Sequence, residues 1–302
     1  MRLAIRWEHP IENCPGFVQL ACLSSGTGIY DCLKANHRYP RDVQVRFFLR
    51  GPPLQMVVSL AQKILEAKRP VVLFHTWTVT RELLAQAIRE NRSMDLDVCV
   101  DDSGHAYLGH PKEYHDKTQE PFFNSMPLWE AVDALAGSNI PVIVDCKHVN
   151  AWPVVENVVT QLRPDRCLVH SFVSELRFDA GRAAGEPDFV SEWSSIATLR
   201  ELKRKFPSVT TTASAKWLPP DALTSDKHGL LAGIVSLLKQ NQVDTICLNV
   251  PDSTFSDRAL ALFLRESILA HVGVDHADLT RLSQLYIGET DSLEFTSRGV
   301  LL

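Results

Sequence analysis

Two aspartates one residue apart, Asp95 and Asp97, stand in the apolar run MDLDVCV, and an aspartate and a lysine at the same spacing, Asp145 and Lys147, stand in PVIVDCK. In an extended strand, residues i and i+2 point to one face, so each pair presents its ionisable groups together. If that face is a dry interior, unpaired carboxylates are costly there, and gathering three of them makes sense around a cation. Oxygen donors suit a hard divalent ion, Mg²⁺ first and Ca²⁺ second, with positions left for water and phosphate; a structural zinc would want Cys or more His. His75 closes the run VVLFH, and His110 ends the loop DDSGHAYLGH. Two histidines beside a cation-bound phosphate can share the work of in-line displacement, one taking a proton from the nucleophile and the other protonating the leaving oxygen.

The elements that must position these residues follow from the pattern around them. From residue 71 onward, short β-branched runs alternate with longer stretches of helical period, the signature of βα units around a parallel sheet. Strands are expected at 70–75, 94–100, 141–147, 166–172, 208–214, 243–250 and 285–290, and helices at 54–68, 80–91, 127–137, 152–163, 192–205, 228–241 and 256–271. The ionisable groups fall at the C-terminal ends of the first three of these strands, which is the catalytic rim of an α/β barrel. The expected fold is therefore a TIM-type (β/α)8 barrel over 70–302, within a single domain spanning 1–302. Seven strands are one short of closure, so either the N-terminal extension, residues 1–65, supplies the eighth or the barrel is irregular; a doubly wound open sheet is the rival architecture.

Composition narrows the partners. The chain has 302 residues, 45% hydrophobic and 22% charged, with a net charge of −5. That is the make-up of a globular protein, and it argues against nucleic acid as the main partner, because phosphate-backbone binding needs a basic face. The N-terminus has no apolar run of signal-peptide length, and no stretch reaches the roughly 18–20 apolar residues that span a bilayer, so a cytoplasmic location is expected. Seven cysteines form no CxxC pair; Cys99, Cys146, Cys167 and Cys247 lie in apolar strand-like runs and read as small buried hydrophobes, while Cys14, Cys22 and Cys32 match no zinc spacing. Ser24-Ser25-Gly26-Thr27-Gly28 is glycine-rich but lacks the lysine of a phosphate-binding loop.

Taken in order, Phe74-His75, Asp95-Leu96-Asp97-Val98, Asp102-Ser103-Gly104 with His110, Asp145-Cys146-Lys147 and Val169-His170-Ser171-Phe172 resemble the glycerophosphodiester phosphodiesterase family, whose relatives include the sphingomyelinase D toxins. The resemblance spans residues 70–175. It implies a divalent cation on Asp95, Asp97 and Asp145, Lys147 on a phosphate oxygen, and His75 and His110 as the acid/base or nucleophile pair, acting on a small-molecule or lipid-like phosphodiester. The sequence departs from the family at Thr76-Trp77, where neither the family's arginine nor its Pro-Glu-Asn-Thr tetrapeptide is present.

Three alternatives accompany this reading. Asp145-x-Lys147 is closer to the sphingomyelinase D branch, which implies a phosphorus–oxygen lyase or transferase that forms a cyclic phosphate. The lost arginine motivates a catalytically silent barrel that serves as a binding protein. A Schiff-base role for Lys147 would need a depressed lysine pKa, which the neighbouring carboxylates oppose. His170 and Ser171 are adjacent in one strand and point to opposite faces, so they are not expected to form a Ser–His pair.

Overall fold

The run MDLDVCV forms a strand, Met94–Val100, that is buried along its whole length. Met94, Leu96, Val98 and Val100 share one apolar cluster with Leu84 and Ala87 of the helix Arg81–Arg89 and with Leu128, Ala131 and Leu135 of the helix Leu128–Ala136. The alternate residues, Asp95 and Asp97, face the other way, into the barrel. The structure, a computed structural model, describes residues 57–67, 71–74, 76, 78–118, 125–225, 229–251, 257–273 and 286–290. His75, Cys14, Cys22, Cys32, the segment 24–28 and the extension up to residue 56 lie outside the described residues.

The strands are β1 (Val71–Phe74), β2 (Met94–Val100), β3 (Ala106–Leu108), β4 (Val142–Cys146), β5 (Cys167–Arg177), β6 (Thr210–Lys216), β7 (Thr245–Pro251), β8 (Leu269–Gly273) and β9 (Tyr286–Thr290). They form one sheet in the order β1-β9-β8-β7-β6-β5-β4-β2-β3. Every pairing is parallel except β2 with β3, a short hairpin return. Eight parallel strands thus run round a barrel of TIM type, with β1 paired to β9. The ladder is interrupted between β1 and β2, which approach each other without pairing.

The eighth strand is the main correction to the sequence reading. The expected helix 256–271 is two elements, the helix Asp257–Arg265 and then β8. Ser267 takes a left-handed φ of 61°, and the Ile268 N–H donates to the Phe263 carbonyl at 3.0 Å, which ends the helix in a Schellman-like turn. That conformation usually selects glycine, so a serine gave no stop signal, and Leu-Ala-His-Val reads equally well at either period.

The N-terminal mouth of the barrel is closed by the helix Leu60–Ala67, which lies within the expected 54–68 helix. Its Leu60, Ala61 and Ile64 form a cluster with the interior residues Leu73, Ile143, Leu168 and Leu269. The Ala61 N–H donates to Thr210 Oγ1 at 2.9 Å. Water is thereby kept from the bottom of the barrel, and ionisable chemistry is confined to the C-terminal end. No helix among the described residues is long and apolar enough to cross a membrane. Since Ile64 is fully buried in this plug, Ile64→Ala is expected to cost about 2–5 kcal/mol, read as a lower urea midpoint at unchanged m-value. A loss below about 0.5 kcal/mol, the level of an ordinary surface change, would contradict the plug.

Candidate active site

The strand register stacks the interior side chains in rungs. Asp95 shares a rung with Ile143, Leu168 and Thr210, and the next rung up holds Asp97, Asp145, His170, Thr212 and Thr245. Above that lie Phe172, Ser214, Cys247 and His271, with Lys147 and Lys216 beyond the ends of β4 and at the end of β6. Hydrophobic rungs below and ionisable rungs above are the pattern of a barrel whose chemistry sits at its C-terminal face.

His110 reaches the same rungs through the hairpin. Asp101 Oδ1 accepts hydrogen bonds from the N–H groups of Ser103 and His105, both at 2.9 Å, and Gly104 takes φ +83°, so the chain reverses tightly. After β3, the Gly109 N–H donates to the Asp97 carbonyl at 2.8 Å, and the Tyr107 hydroxyl donates to the His110 carbonyl at 3.0 Å. The His110 ring, edge-on to Tyr114 at 4.3 Å, is left with Nε2 3.1 Å from Asp97 Oδ2.

Lys147 is the hub of the cluster. Its ammonium lies 2.8 Å from Asp145 Oδ2 and 3.4 Å from Asp97 Oδ1. His170 Nδ1 lies 2.7 Å from the same Asp145 oxygen, and His170 Nε2 is hydrogen-bonded to Ser214 Oγ. All of these side chains are buried. Burial works to raise the Asp145 pKa, but the charges of His170 and Lys147 outweigh it and hold the carboxyl below its ordinary range. For Lys147, burial is outweighed by Asp145, Asp97 and Glu192, which keep the ammonium firmly protonated. That opposes the Schiff-base alternative, which requires the opposite shift. For His170, Asp145 likewise overcomes burial and raises the imidazole well above its ordinary value.

Asp97, Asp145, Lys147 and His110 are therefore brought together as the sequence suggests. Asp95 is buried one rung deeper, level with Ile143. Among the described residues, no group of three His, Cys, Asp or Glu side chains is arranged to hold a metal ion. The fit to a divalent cation rests on Asp97 and Asp145: Asp145 Oδ1 is buried and accepts no hydrogen bond, so an oxygen-seeking ion would meet an acceptor with nothing to accept. His75 lies outside the described residues.

Three participants were not legible as such. His170 has a serine partner after all, but it is Ser214 on the neighbouring strand; Ser171 faces outward and donates to Ser194 Oγ at 3.1 Å. The i, i+2 spacing of Ser214 and Lys216 was the available signal. Glu192 comes from a short 3-10 turn, Val190–Glu192, in a long connection. Burial pushes its carboxyl up to about 7, against the pull of Lys147 and Lys216.

No protein-family profile matches the chain, and no curated protein matches it in sequence. Solved structures do. A protein from Agrobacterium tumefaciens assigned as a glycerophosphoryl diester phosphodiesterase superimposes with a TM-score of 0.50 at 8% identity, covering 76% of this chain and 96% of its own. A glycerophosphoryl diester phosphodiesterase from Parabacteroides distasonis gives 0.47 at 11% identity over 78% and 89%. A further protein assigned to that activity, from Galdieria sulphuraria, gives 0.47 at 10% over 76% and 98%.

His170 and Asp145 make a testable electrostatic pair. The raised His170 pKa contributes stability that is complete below its unfolded value of about 6.5 and is lost as pH rises through the folded value; the lowered Asp145 pKa contributes above about 3.9 and is lost only as pH falls through the folded value. Their contributions overlap fully between about pH 4 and 6.5. His170→Gln is accordingly expected to destabilise the protein by on the order of 3 kcal/mol near pH 6, and by progressively less toward alkaline pH, in denaturant melts across that range. A pH-independent loss would mean that the histidine is held neutral. At 8% identity the Agrobacterium likeness speaks for architecture alone: this chain is built on the α/β barrel seen in that protein.

Proposed function

We propose that the protein is a phosphodiesterase-like enzyme acting on a small or lipid-like phosphodiester, in keeping with the cytoplasmic location expected of it. The observation that carries this reading is the Lys147 hub: an ammonium held by Asp97 and Asp145 at the C-terminal end of the barrel, with His110 3.1 Å from Asp97. A buried ammonium flanked by two carboxylates is poised to shift toward an incoming phosphate oxygen without leaving the site.

In the proposed reaction, an oxygen nucleophile gives its proton to one of His75 and His110 as it forms the new P–O bond. The other histidine protonates the alkoxide released as the old P–O bond breaks. Asp97 orients His110, and Lys147 meets the equatorial phosphate charge. A divalent cation, Mg²⁺ or Ca²⁺, would be held by Asp97 and Asp145 with Asp95 beneath them, and when bound it supplies further neutralisation of the phosphate. If the nucleophile is water the products are an alcohol and a phosphomonoester; if it is the substrate's own hydroxyl, the product is a cyclic phosphate, and ³¹P spectra of the products separate the two.

The closed state of the Lys147 cluster favours one second reading, a silent barrel that binds ligands without turning them over. Two measurements decide between them. His75→Ala and His110→Ala are each expected to lower diester turnover by about 10²-fold or more while melting as the parent does; retained turnover in either sinks that histidine's role. Millimolar Mg²⁺, Ca²⁺ or Mn²⁺ is expected to raise the melting temperature of the parent, and to do so less in Asp145→Asn. No shift with any of the three ions would remove the cation from the proposal.

A further inference from the structure

The rim above the Lys147 hub carries a second set of charges. A segment running from Phe189 to Ser194 is laid over the end of β5, where the Ser194 N–H donates to the Phe172 carbonyl at 2.9 Å and the Ser174 N–H to the Ser194 carbonyl at 2.8 Å. It brings Phe189, Glu192 and Trp193 to the barrel mouth. Trp217, at the end of β6, holds a left-handed φ of 60°, uncommon for a bulky side chain. The neighbouring chain holds it there: the Gly181 N–H donates to the Trp217 carbonyl at 2.9 Å, and a Cβ on Gly181 would come within 2.2 Å of that oxygen.

Three cations lie over the Trp217 ring: Arg177 at 5.5 Å, Arg182 at 4.7 Å and Lys216 at 5.5 Å. Two of them are otherwise engaged. Arg177 pairs with Asp179 at 3.2 Å and Asp188 at 2.8 Å, and Arg182 donates to the Glu186 carbonyl at 2.6 Å. Lys216 is different. Its ammonium sits over Phe172 at 4.7 Å and Phe189 at 5.5 Å as well as Trp217, and among the described residues no carboxylate lies within ion-pair distance of it.

Lys216 also stands two residues beyond Ser214 on the same face of β6, directly above the His170–Ser214 contact. Aromatic faces hold a cation loosely and satisfy none of its N–H groups, so such an ammonium keeps all of its hydrogen-bonding capacity for a ligand. Lys147, in contrast, lies within ion-pair distance of two carboxylates, Asp145 and Asp97.

We propose that Lys216, caged by Phe172, Phe189 and Trp217 at the barrel mouth, is a substrate-binding cation that takes an anionic oxygen of the phosphodiester, with Glu192 as the counter-charge that opposes the ligand. The identity of the ligand rests on the phosphodiesterase reading above; the availability of the cation does not. The charged groups around Glu192 are Asp145 of β4 and Lys147 just beyond it, Asp97 of β2 and Lys216 of β6, and Glu186 and Asp188 also act on Lys216. Because the Glu192 carboxyl titrates at about 7, its negative charge forms beside the two lysines as pH rises through neutrality. Affinity for an anion should fall over that interval.

The test is calorimetric titration with dimethyl phosphate, a diester anion that does not itself titrate near neutrality, at about pH 6 and about pH 8. Lys216→Met should weaken binding by about ten-fold or more, while Lys216→Arg retains it. Glu192→Gln should tighten binding at the higher pH and flatten the pH dependence seen in the parent. Unchanged affinity in a Lys216→Met protein that melts as the parent does overturns the assignment, as does a Glu192→Gln protein with the parent's pH dependence. Binding that depends on Lys216 in a protein that turns over no diester would support this inference and sink the enzymatic one. A parent that binds no dimethyl phosphate sinks this inference even if diester turnover is found.

Discussion

The structure depends on one electrostatic constraint: two aspartates, Asp97 and Asp145, buried in the upper half of a barrel whose lower half is plugged with apolar side chains. Unpaired, each of those carboxylates would cost several kcal/mol, and the fold would shed its charge by taking up protons. Lys147 and the raised imidazole of His170 prevent this by placing two positive charges against Asp145, with Lys147 also serving Asp97. The cluster is assembled across β2, β4, β5 and β6, so it also fixes the relative register of four strands. A one-residue slip of any of them would turn its polar side chain out among the helices.

The same constraint explains how the rest of the barrel is organised. The helix Leu60–Ala67 and the interior leucines below keep the low-dielectric end dry, which makes the ion pairs above stronger and a misplaced charge more expensive. The hairpin β2–β3 lets a loop histidine descend onto Asp97. The segment Phe189–Ser194 roofs the mouth with aromatic rings, and the Lys216 ammonium rests on the Phe189 ring. The site therefore has two tiers, a neutralised inner cluster and an outer rim whose lysine lies over aromatic faces, with no carboxylate at ion-pair distance among the described residues.

Much of the frame was legible because it depends on periodicity within single elements. Asp95, Asp97, Asp145 and Lys147 share strand faces by i, i+2 spacing, and the strands and helices expected between residues 71 and 251 lie within a few residues of their observed places, while the short helices Lys112–Thr118 and Pro220–Ser225 were not expected. β8 was not legible, because its helix stop is a left-handed Ser267 and not a glycine. The pairing of His170 with Ser214, separated by 44 residues, depends on the register between strands, which no local pattern encodes. Glu192 depends on a long connection folding back over the barrel; Lys216 ends a strand that the pattern did indicate, but the cage around it is visible only once Phe172, Phe189 and Trp217 converge. The place of Asp95 is the opposite case: the spacing puts it on the right face, but the rung beside Ile143 sets it deeper than a three-aspartate cation site would need.

The central claim is that the Lys147 cluster is a closed form of a phosphodiester site. The most direct measurement is a crystal structure grown with Mg²⁺ and dimethyl phosphate. The account predicts density for a cation against Asp145 Oδ1 and Asp97, with the phosphate between it and the lysines and the Lys147 ammonium drawn off the two carboxylates. Lys147 still bridging Asp97 and Asp145, with no ligand density at the C-terminal mouth of the barrel, would contradict it.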